Sequence, residues 1–397
     1  MKLKKTLVVC IVLLTLAVLS IGSGYTAEKN EIRIGVLLPL TGYISHFGLM
    51  QEAALKMIEK EIKDKGGVGG FNVRFIMYDT ACKPKDAILM AQKLISSDQV
   101  HCILGPFLST ECEQVFPVVN TAKVPIITGS SAKPGLTKAS RPWTFRMIMT
   151  SDKINNLAIT WWVKKHDIKS VVILTDIKSK VSETYGKAVA PEILKKLGIQ
   201  IKDNIDFVTE DVDFSAQVTK AKAANPDALV LAGEYTPAAN LAREAAKQGL
   251  KLPLLGDVPI VTDQYIKLAG TAAEGTCAPT DFWFGNPDPA VRTFIVDFKK
   301  QFGKDVLPHT TTAGMYNTLL VTRHLIESQK LSGKPEDLQR DREKIRDGLA
   351  NLKDFQGLSK ISMNEEGEAL MDYYILIVRD GQWVRGTSGF MRIRGEK

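Results

Sequence analysis

The stretch "VHCILGPFLSTECEQVFPVVNTAKVPIITGSSAKPG", residues 100–135, decides how this chain folds. "HCILG" is a short apolar run without polar alternation, the pattern of a strand buried on both faces. It runs into Ser109 and Thr110 and then into helical spacing over 110–122. "VPIIT" (124–128) repeats the strand, and "GSSAKPG" (129–135) repeats the polar turn. Two strand–turn–helix steps in succession predict a parallel sheet covered by helices on both faces.

The same rhythm extends in both directions. Upstream lie a strand "IRIGVLLPL" (32–40), a helix 46–65 stopped by Gly66 and Gly67, a strand "NVRFIMYD" (72–79) and a helix 84–97. Downstream come a helix 151–166, strand "SVVILTD" (170–176), helix 182–197, strand "DALVLAG" (227–233), helix 237–248 and strand "LPLLGD" (252–257). Near 280 the rhythm breaks at the aromatic, Pro-rich "APTDFWFGNPDP" (278–289). Three helical patterns follow (288–302, 310–328, 336–350), and the chain closes with "KISM" (360–363) and "DYYILIVRDGQWV" (372–384), a hairpin turning at Asp380 and Gly381. Two half-chains of similar rhythm predict two doubly wound α/β lobes.

At 397 residues, 45% hydrophobic and 24% charged, the chain has the size and balance of a two-domain globular protein. Its start differs: basic "MKLKK", apolar "TLVVCIVLLTLAVLSIG", then small-residue-rich "SGYTAEKN". That layout predicts a secretory signal peptide over 1–27, an uncleaved anchor being the competing reading. Removing 1–27 takes away Lys2, Lys4 and Lys5 and no acid, lowering the formal charge from +8 to +5. A mild excess without an Arg/Lys stripe and interleaved aromatics gives no reason to expect nucleic acid as a partner. Cys82, Cys102, Cys112 and Cys277 remain, without zinc-site spacing, and four cysteines allow three full pairings.

In a doubly wound sheet, ligands bind beyond the carboxyl ends of the strands. The loops to inspect are therefore those directly after strands. Two readings are open for Ser109 and Thr110: a capping box with Thr110 as N-cap and Glu113 three residues on, or an anion site at the helix start. Ser130 and Ser131 follow the next strand, so the two hydroxyl-bearing loops open on one rim. Tyr185, Tyr235 and Asp257 follow strands of the second half and are candidates for an opposing wall, each equally readable as a structural residue. There is no G-x-S-x-G elbow, no phosphate-binding G-x-x-x-x-G-K-[ST] loop and no H-E-x-x-H. "GGVGG" (66–70) ends a helix and precedes a strand, the wrong order for a dinucleotide fingerprint. The pattern points to a binder rather than an enzyme, with no cofactor and no metal.

The chain resembles, over nearly its whole mature length, the type I periplasmic solute-binding proteins of branched-chain amino acid ABC transporters, the leucine/isoleucine/valine-binding type. The resemblance is carried by "IRIGVLLPLTG" (32–42), "KGGVGGFNVRFIMYDTACKPKDA" (65–87), "ILGPFLST" (103–110), "PIITGSSA" (125–132), "TYGKAV" (184–189), "LAREAAKQG" (241–249) and "NEEGEA" (364–369). It implies the periplasmic binding protein-like I fold, two Rossmann-like lobes joined by three crossovers. Lobe 1 would comprise 31–149 and 281–357, and lobe 2 would comprise 150–280 and 358–397, with crossings near 148–151, 279–282 and 357–359.

By the same resemblance, Ser109 with Thr110 holds a ligand carboxylate, and Ser130, Ser131 and Ala132 form the loop that offers backbone groups. Phe47 is an aromatic of the first loop, Tyr185 and Tyr235 close from lobe 2, and Asp257 pairs with an ammonium. Three departures stand out. Ala132 replaces a threonine, the loop before Tyr185 is longer and carries Lys178 and Lys180, and Leu108 occupies the place of the bridge partner of Cys82, leaving Cys112 as its expected partner. The implied function is capture of a small carboxylate-bearing solute, a branched-chain or related amino acid, by a monomeric periplasmic receptor that delivers it to permease subunits. The same fold binding an aromatic acid, an aliphatic amide or urea, or serving a sensory receptor, is the alternative.

Overall fold

The computed structural model describes residues 30–304 and 306–390. The signal peptide expected over 1–27 and residues 391–397, expected in lobe 2, lie outside them.

The first sheet holds β1 (Glu31–Leu38), β2 (Asn72–Asp79), β3 (Cys102–Leu104), β4 (Ile126–Thr128) and β5 (Thr144–Arg146), in the order β2-β1-β3-β4-β5 with every pair parallel. β3 and β4 are wholly buried, as their unbroken apolar runs require. Helices Ser45–Asp64 and Thr310–Ser328 pack on one face through Leu55, Ile58, Leu319 and Leu325. Helices Pro84–Ser96 and Ser109–Ala122 cover the other through Ala87, Leu94, Val115 and Phe116.

The second sheet repeats this order. β6 (Ser170–Asp176), β7 (Gln200–Phe207), β8 (Ala228–Ala232), β9 (Leu254–Gly256) and β10 (Cys277–Thr280) run β7-β6-β8-β9-β10, all parallel. A small antiparallel sheet follows, β11 (Phe355–Gln356), β12 (Lys360–Met363) and β13 (Ala369–Leu370). The hairpin β14 (Asp372–Arg379) and β15 (Gln382–Phe390) then extends the second sheet antiparallel beyond β10.

The strands absent from the sequence reading are β5, β7, β10 and the two-residue β11 and β13. β7 is a sheet edge, so "QIKDNIDF" carries polar residues that mask its period. β5 has only three residues, and β10 contains Pro279.

The expected crossing at 357–359 is displaced. Ile361, Met363, Ala369 and Met371 pack in the core of the first lobe with Ile32, Val36 and Leu319, and Glu368 bridges to Arg146. Residues 358–371 therefore belong with the first sheet, and the chain passes to the second between Met371 and Asp372. The other two crossings are tied together: the Met149 N–H donates to Asp281 Oδ2 at 2.8 Å.

Candidate functional site

Between the lobes lies a cavity. The first lobe lines it from the loops after β1 (Tyr43, Ile44, Phe47), β3 (Phe107, Leu108, Ser109, Thr110) and β4 (Ser130, Ser131, Ala132). The second lines it from the loops after β6 (Lys178, Ser179, Lys180, Val181), β8 (Glu234) and β9 (Val258, Pro259). Ile148 on the first crossing and His309, Thr310 and Thr311 complete it. In each sheet the order reverses between its first and third strands, and the crevice at such a switch point is where an open α/β sheet takes its ligand.

The first-lobe wall is built by close backbone approach. Gly105 has φ +103°, and a Cβ there would lie 2.2 Å from the Leu37 carbonyl oxygen. Only glycine lets β3 end against β1 in this way. The helix then begins at Ser109, two residues earlier than the capping-box reading, with Leu108 rather than Thr110 as N-cap. Glu111, not Glu113, reaches back to accept from the Leu108 N–H at 3.1 Å, and Glu113 pairs instead with Lys133. Ser109 Oγ and Ser131 Oγ are 2.8 Å apart and both buried. Thr128 Oγ1 donates to the Pro106 carbonyl at 2.8 Å, fixing one loop to the other. Gln51 Nε2 donates to Ser130 Oγ at 2.6 Å and to the Thr311 carbonyl at 2.7 Å. The Ala132 carbonyl accepts from Ser151 at 2.9 Å. Burial raises the Glu111 carboxyl above the usual carboxylate range.

The second-lobe wall is organised by Asp176, whose Oδ1 accepts from the N–H groups of Lys178 (3.0 Å) and Ser179 (3.3 Å) while Thr209 donates to Oδ2 at 2.6 Å. Ser179 Oγ donates to Glu234 Oε1 at 3.0 Å. Burial, aided by the charges of Asp176 and Asp257, pushes the Glu234 carboxyl up to about 7. Lys178 pairs with Glu210 at 2.8 Å and Lys180 with Glu183 at 2.7 Å.

The structure brings Phe47, Ser109, Thr110, Ser130, Ser131 and Ala132 around one cavity. It does not bring Tyr185, Tyr235 or Asp257 there. Tyr185 lies in the second-lobe core with Ile159, Trp162 and Val230, fully enclosed, because helix Lys180–Thr184 continues into a π-helical turn, Tyr185–Val189, that points it inward. Tyr235 meets the edge of the Phe47 ring at 6.2 Å and lines a smaller neighbouring crevice. Asp257 is turned under the wall: its Oδ1 accepts from Asn155 Nδ2 (2.8 Å) and the Val258 N–H (2.7 Å), and burial pushes its carboxyl up to about 6. Its two successors, Val258 and Pro259, face the cavity instead.

The expected Cys82–Cys112 bridge is absent. Both thiols are free, Cys112 being enclosed on the core face of its helix among Leu37, Val115 and Ile126, whereas Cys82 faces the Thr41 carbonyl at 3.4 Å.

Sequence reasoning missed Glu234, Ser179 and His309. Glu234 stands in "GEYTP", beside the tyrosine chosen from the same loop, and the switch-point rule applied to the second lobe would have pointed to it. His309 Nδ1 accepts from the Thr311 N–H at 3.3 Å, which leaves Nε2 carrying the ring proton, and the ring packs on Phe47 at 4.9 Å. Burial pushes it down to about 4, so it is neutral at physiological pH.

Residues 31–382 match the periplasmic binding protein family. The chain belongs to that family. The leucine-, isoleucine-, valine-, threonine- and alanine-binding protein of Pseudomonas aeruginosa is 27% identical over 280 residues, 70% of this chain and 73% of that one. The leucine-binding protein LivK of Thermotoga maritima is 27% identical and superposes with a TM-score of 0.78, covering 90% of this chain and 98% of that one. A solute-binding protein of Rhodopseudomonas palustris in complex with 3,4-dihydroxybenzoic acid shares the fold at 22% identity, with a TM-score of 0.79 over 91% of this chain and 98% of that one. Both named relatives at 27% identity are binding proteins.

Proposed function

We propose that this periplasmic binding protein captures a small carboxylate-bearing solute, a branched-chain or related amino acid, in the interlobe cavity and delivers it to the permease subunits of an ABC transporter. The basic and then apolar residues 1–27 are the export signal that this role calls for. The single observation that carries the reading is the buried Ser109 and Ser131 hydroxyl pair, 2.8 Å apart on the cavity wall. In that pair only one of the two O–H protons is used, so the other is available to an acceptor. The first-turn N–H groups of Ser109 and Thr110 have no intrahelical acceptor either. Together these are donors without counterpart, suited to an acid group.

The mechanism is closure. The first lobe takes the acid group, and the second swings over it about the crossings joined by Met149 and Asp281. Closing excludes water and strengthens the polar contacts. The ligand favours the closed form by its greater affinity for it. Support for the amino acid class comes from the Pseudomonas and Thermotoga relatives. A second reading, an aromatic acid, is favoured by the Phe47 and Phe107 rings, which line the cavity stacked at 6.0 Å and 21°.

Mass spectrometry of the ligand that co-purifies from the export compartment, followed by a thermal-shift screen of amino acids against aromatic acids, tests both readings. A co-purified acid that raises the unfolding temperature is expected. A neutral sugar or a cation without a carboxylate would overturn the proposal.

A further inference from the structure

We propose that Glu234 reads a hydrogen-bond donor that the ligand carries in addition to its acid group, and so decides which acids are retained. This inference rests on the acid-binding reading of Ser109 and Ser131.

Among the described residues lining the cavity, Glu234 is the one carboxylate, and it stands on the wall opposite the hydroxyl pair. It occupies the N-cap position of helix Tyr235–Lys247, yet its side chain makes no capping bond. It is turned to the loop after β6 instead, where Ser179 Oγ holds Oε1 at 3.0 Å. Ser179 is itself fixed by Asp176 through its N–H. The carboxylate is thus positioned through Oε1, and among the described residues no hydrogen bond reaches Oε2.

No neighbouring group neutralises it. Lys178 and Lys180 share the lining, but their ammonium groups are engaged by Glu210 and Glu183. Asp176 and Asp257 add negative charge from behind, with both Asp176 oxygens held by Thr209, Lys178 and Ser179 and Asp257 Oδ1 held by Asn155 and Val258. Across the cavity stand Tyr43 and the neutral His309. An acceptor in such apolar surroundings is costly unless a donor meets it. The ligand class that satisfies both walls is an acid bearing an N–H or O–H donor, not a plain hydrocarbon acid. Because the carboxyl is raised to about 7, an ammonium ligand also requires its deprotonation, whereas a hydroxyl ligand does not.

The test is calorimetric titration of the full mature protein with two matched pairs: leucine against 4-methylpentanoate, and 4-hydroxybenzoate against benzoate. The wild type is expected to prefer the donor-bearing member of at least one pair by about tenfold or more. Glu234→Leu should bring that preference close to parity. Glu234→Gln, nearly isosteric, should keep part of it if the donor is a hydroxyl and lose it if the donor is an ammonium. In the ammonium case wild-type affinity should also fall as pH drops through 7. Folding of each variant is checked by its unfolding midpoint, and the Gln variant keeps the test decisive if the Leu variant is unstable. Acids bound without preference in the wild type, or a preference unchanged in both variants, would overturn this inference alone. If none of the four acids binds, the acid-binding reading fails and this inference with it.

Discussion

Loops after the first, third and fourth strands of each lobe face one another across the cavity, residues 43–47, 107–110 and 130–132 on one side and 178–181, 234 and 258–259 on the other. The first wall is neutral: hydroxyls and two stacked rings, braced within its own lobe by the Thr128 and Gln51 bonds. The second carries charge, with Glu234 and two lysines, Lys178 in the turn after β6 that Asp176 holds and Lys180 at the start of the helix that follows. A braced neutral wall holds its donors in place before the ligand arrives, and preorganised donors favour the group that every ligand of the class shares. A charged wall suits the part that differs between ligands. On the proposed reading, equivalent positions in two similar sheets would serve two tasks, general grip and discrimination.

The largest test of this division concerns Tyr185, which belongs to the core and not to the second wall. Tyr185→Ala should cost about 3–5 kcal/mol in chemical denaturation. Tyr185→Phe should leave ligand affinity unchanged. A sharp loss of affinity in the Phe variant would return Tyr185 to the wall and break the comparison.

Asp257 gives the next effect. Its folded value of about 6 lies above its ordinary 3.8, so between those values the folded chain holds a proton that the unfolded chain has released. Its contribution to stability is complete below pH 4 and is lost as pH rises through 6. Asp257→Asn should flatten that slope by up to about 3 kcal/mol, read from urea unfolding at pH 4.5 and 7. An unaltered slope would mean that Asp257 is solvated and open to the cavity.

On the first wall, Ser131→Ala should weaken acid binding by roughly 10- to 100-fold, the worth of a hydrogen bond to a charged group. It should do so for every acid alike, in contrast to Glu234 variants. Selective loss for one acid would assign discrimination to the wrong wall.

The smallest effect is expected from the thiols. Cys82→Ser, or a reductant added to the wild type, should move stability by less than about 0.5 kcal/mol, as for other surface changes. A large drop on reduction would reveal a bridge.

The first wall was more legible in the chain than the second, for a physical reason. Ser109, Thr110, Ser130 and Ser131 follow β3 and β4 directly, and the short turns leave each side chain little choice of direction. In the second lobe the short turn after β6 leads into a helix, Lys180–Thr184, and then a π-helical turn, Tyr185–Val189, so Tyr185 stands well beyond the strand end and adjacency to a strand no longer fixes where its ring points. Glu234 and Tyr235 illustrate the difficulty: neighbours in one loop, they face different cavities because the helix begins between them. The displaced crossing has a similar cause, since "KISM" reads as a strand wherever it pairs.

The amino-acid sequence by itself determined the two βα lobes, because period and apolar runs are local properties of the chain. It also placed hydroxyls at strand ends, where a parallel sheet opens its ligand crevice. Only the tertiary structure decided which side chains share that crevice, which carboxylates lie under its walls, and which lobe residues 358–371 join. Those outcomes depend on contacts between segments far apart in sequence, and no local pattern records them.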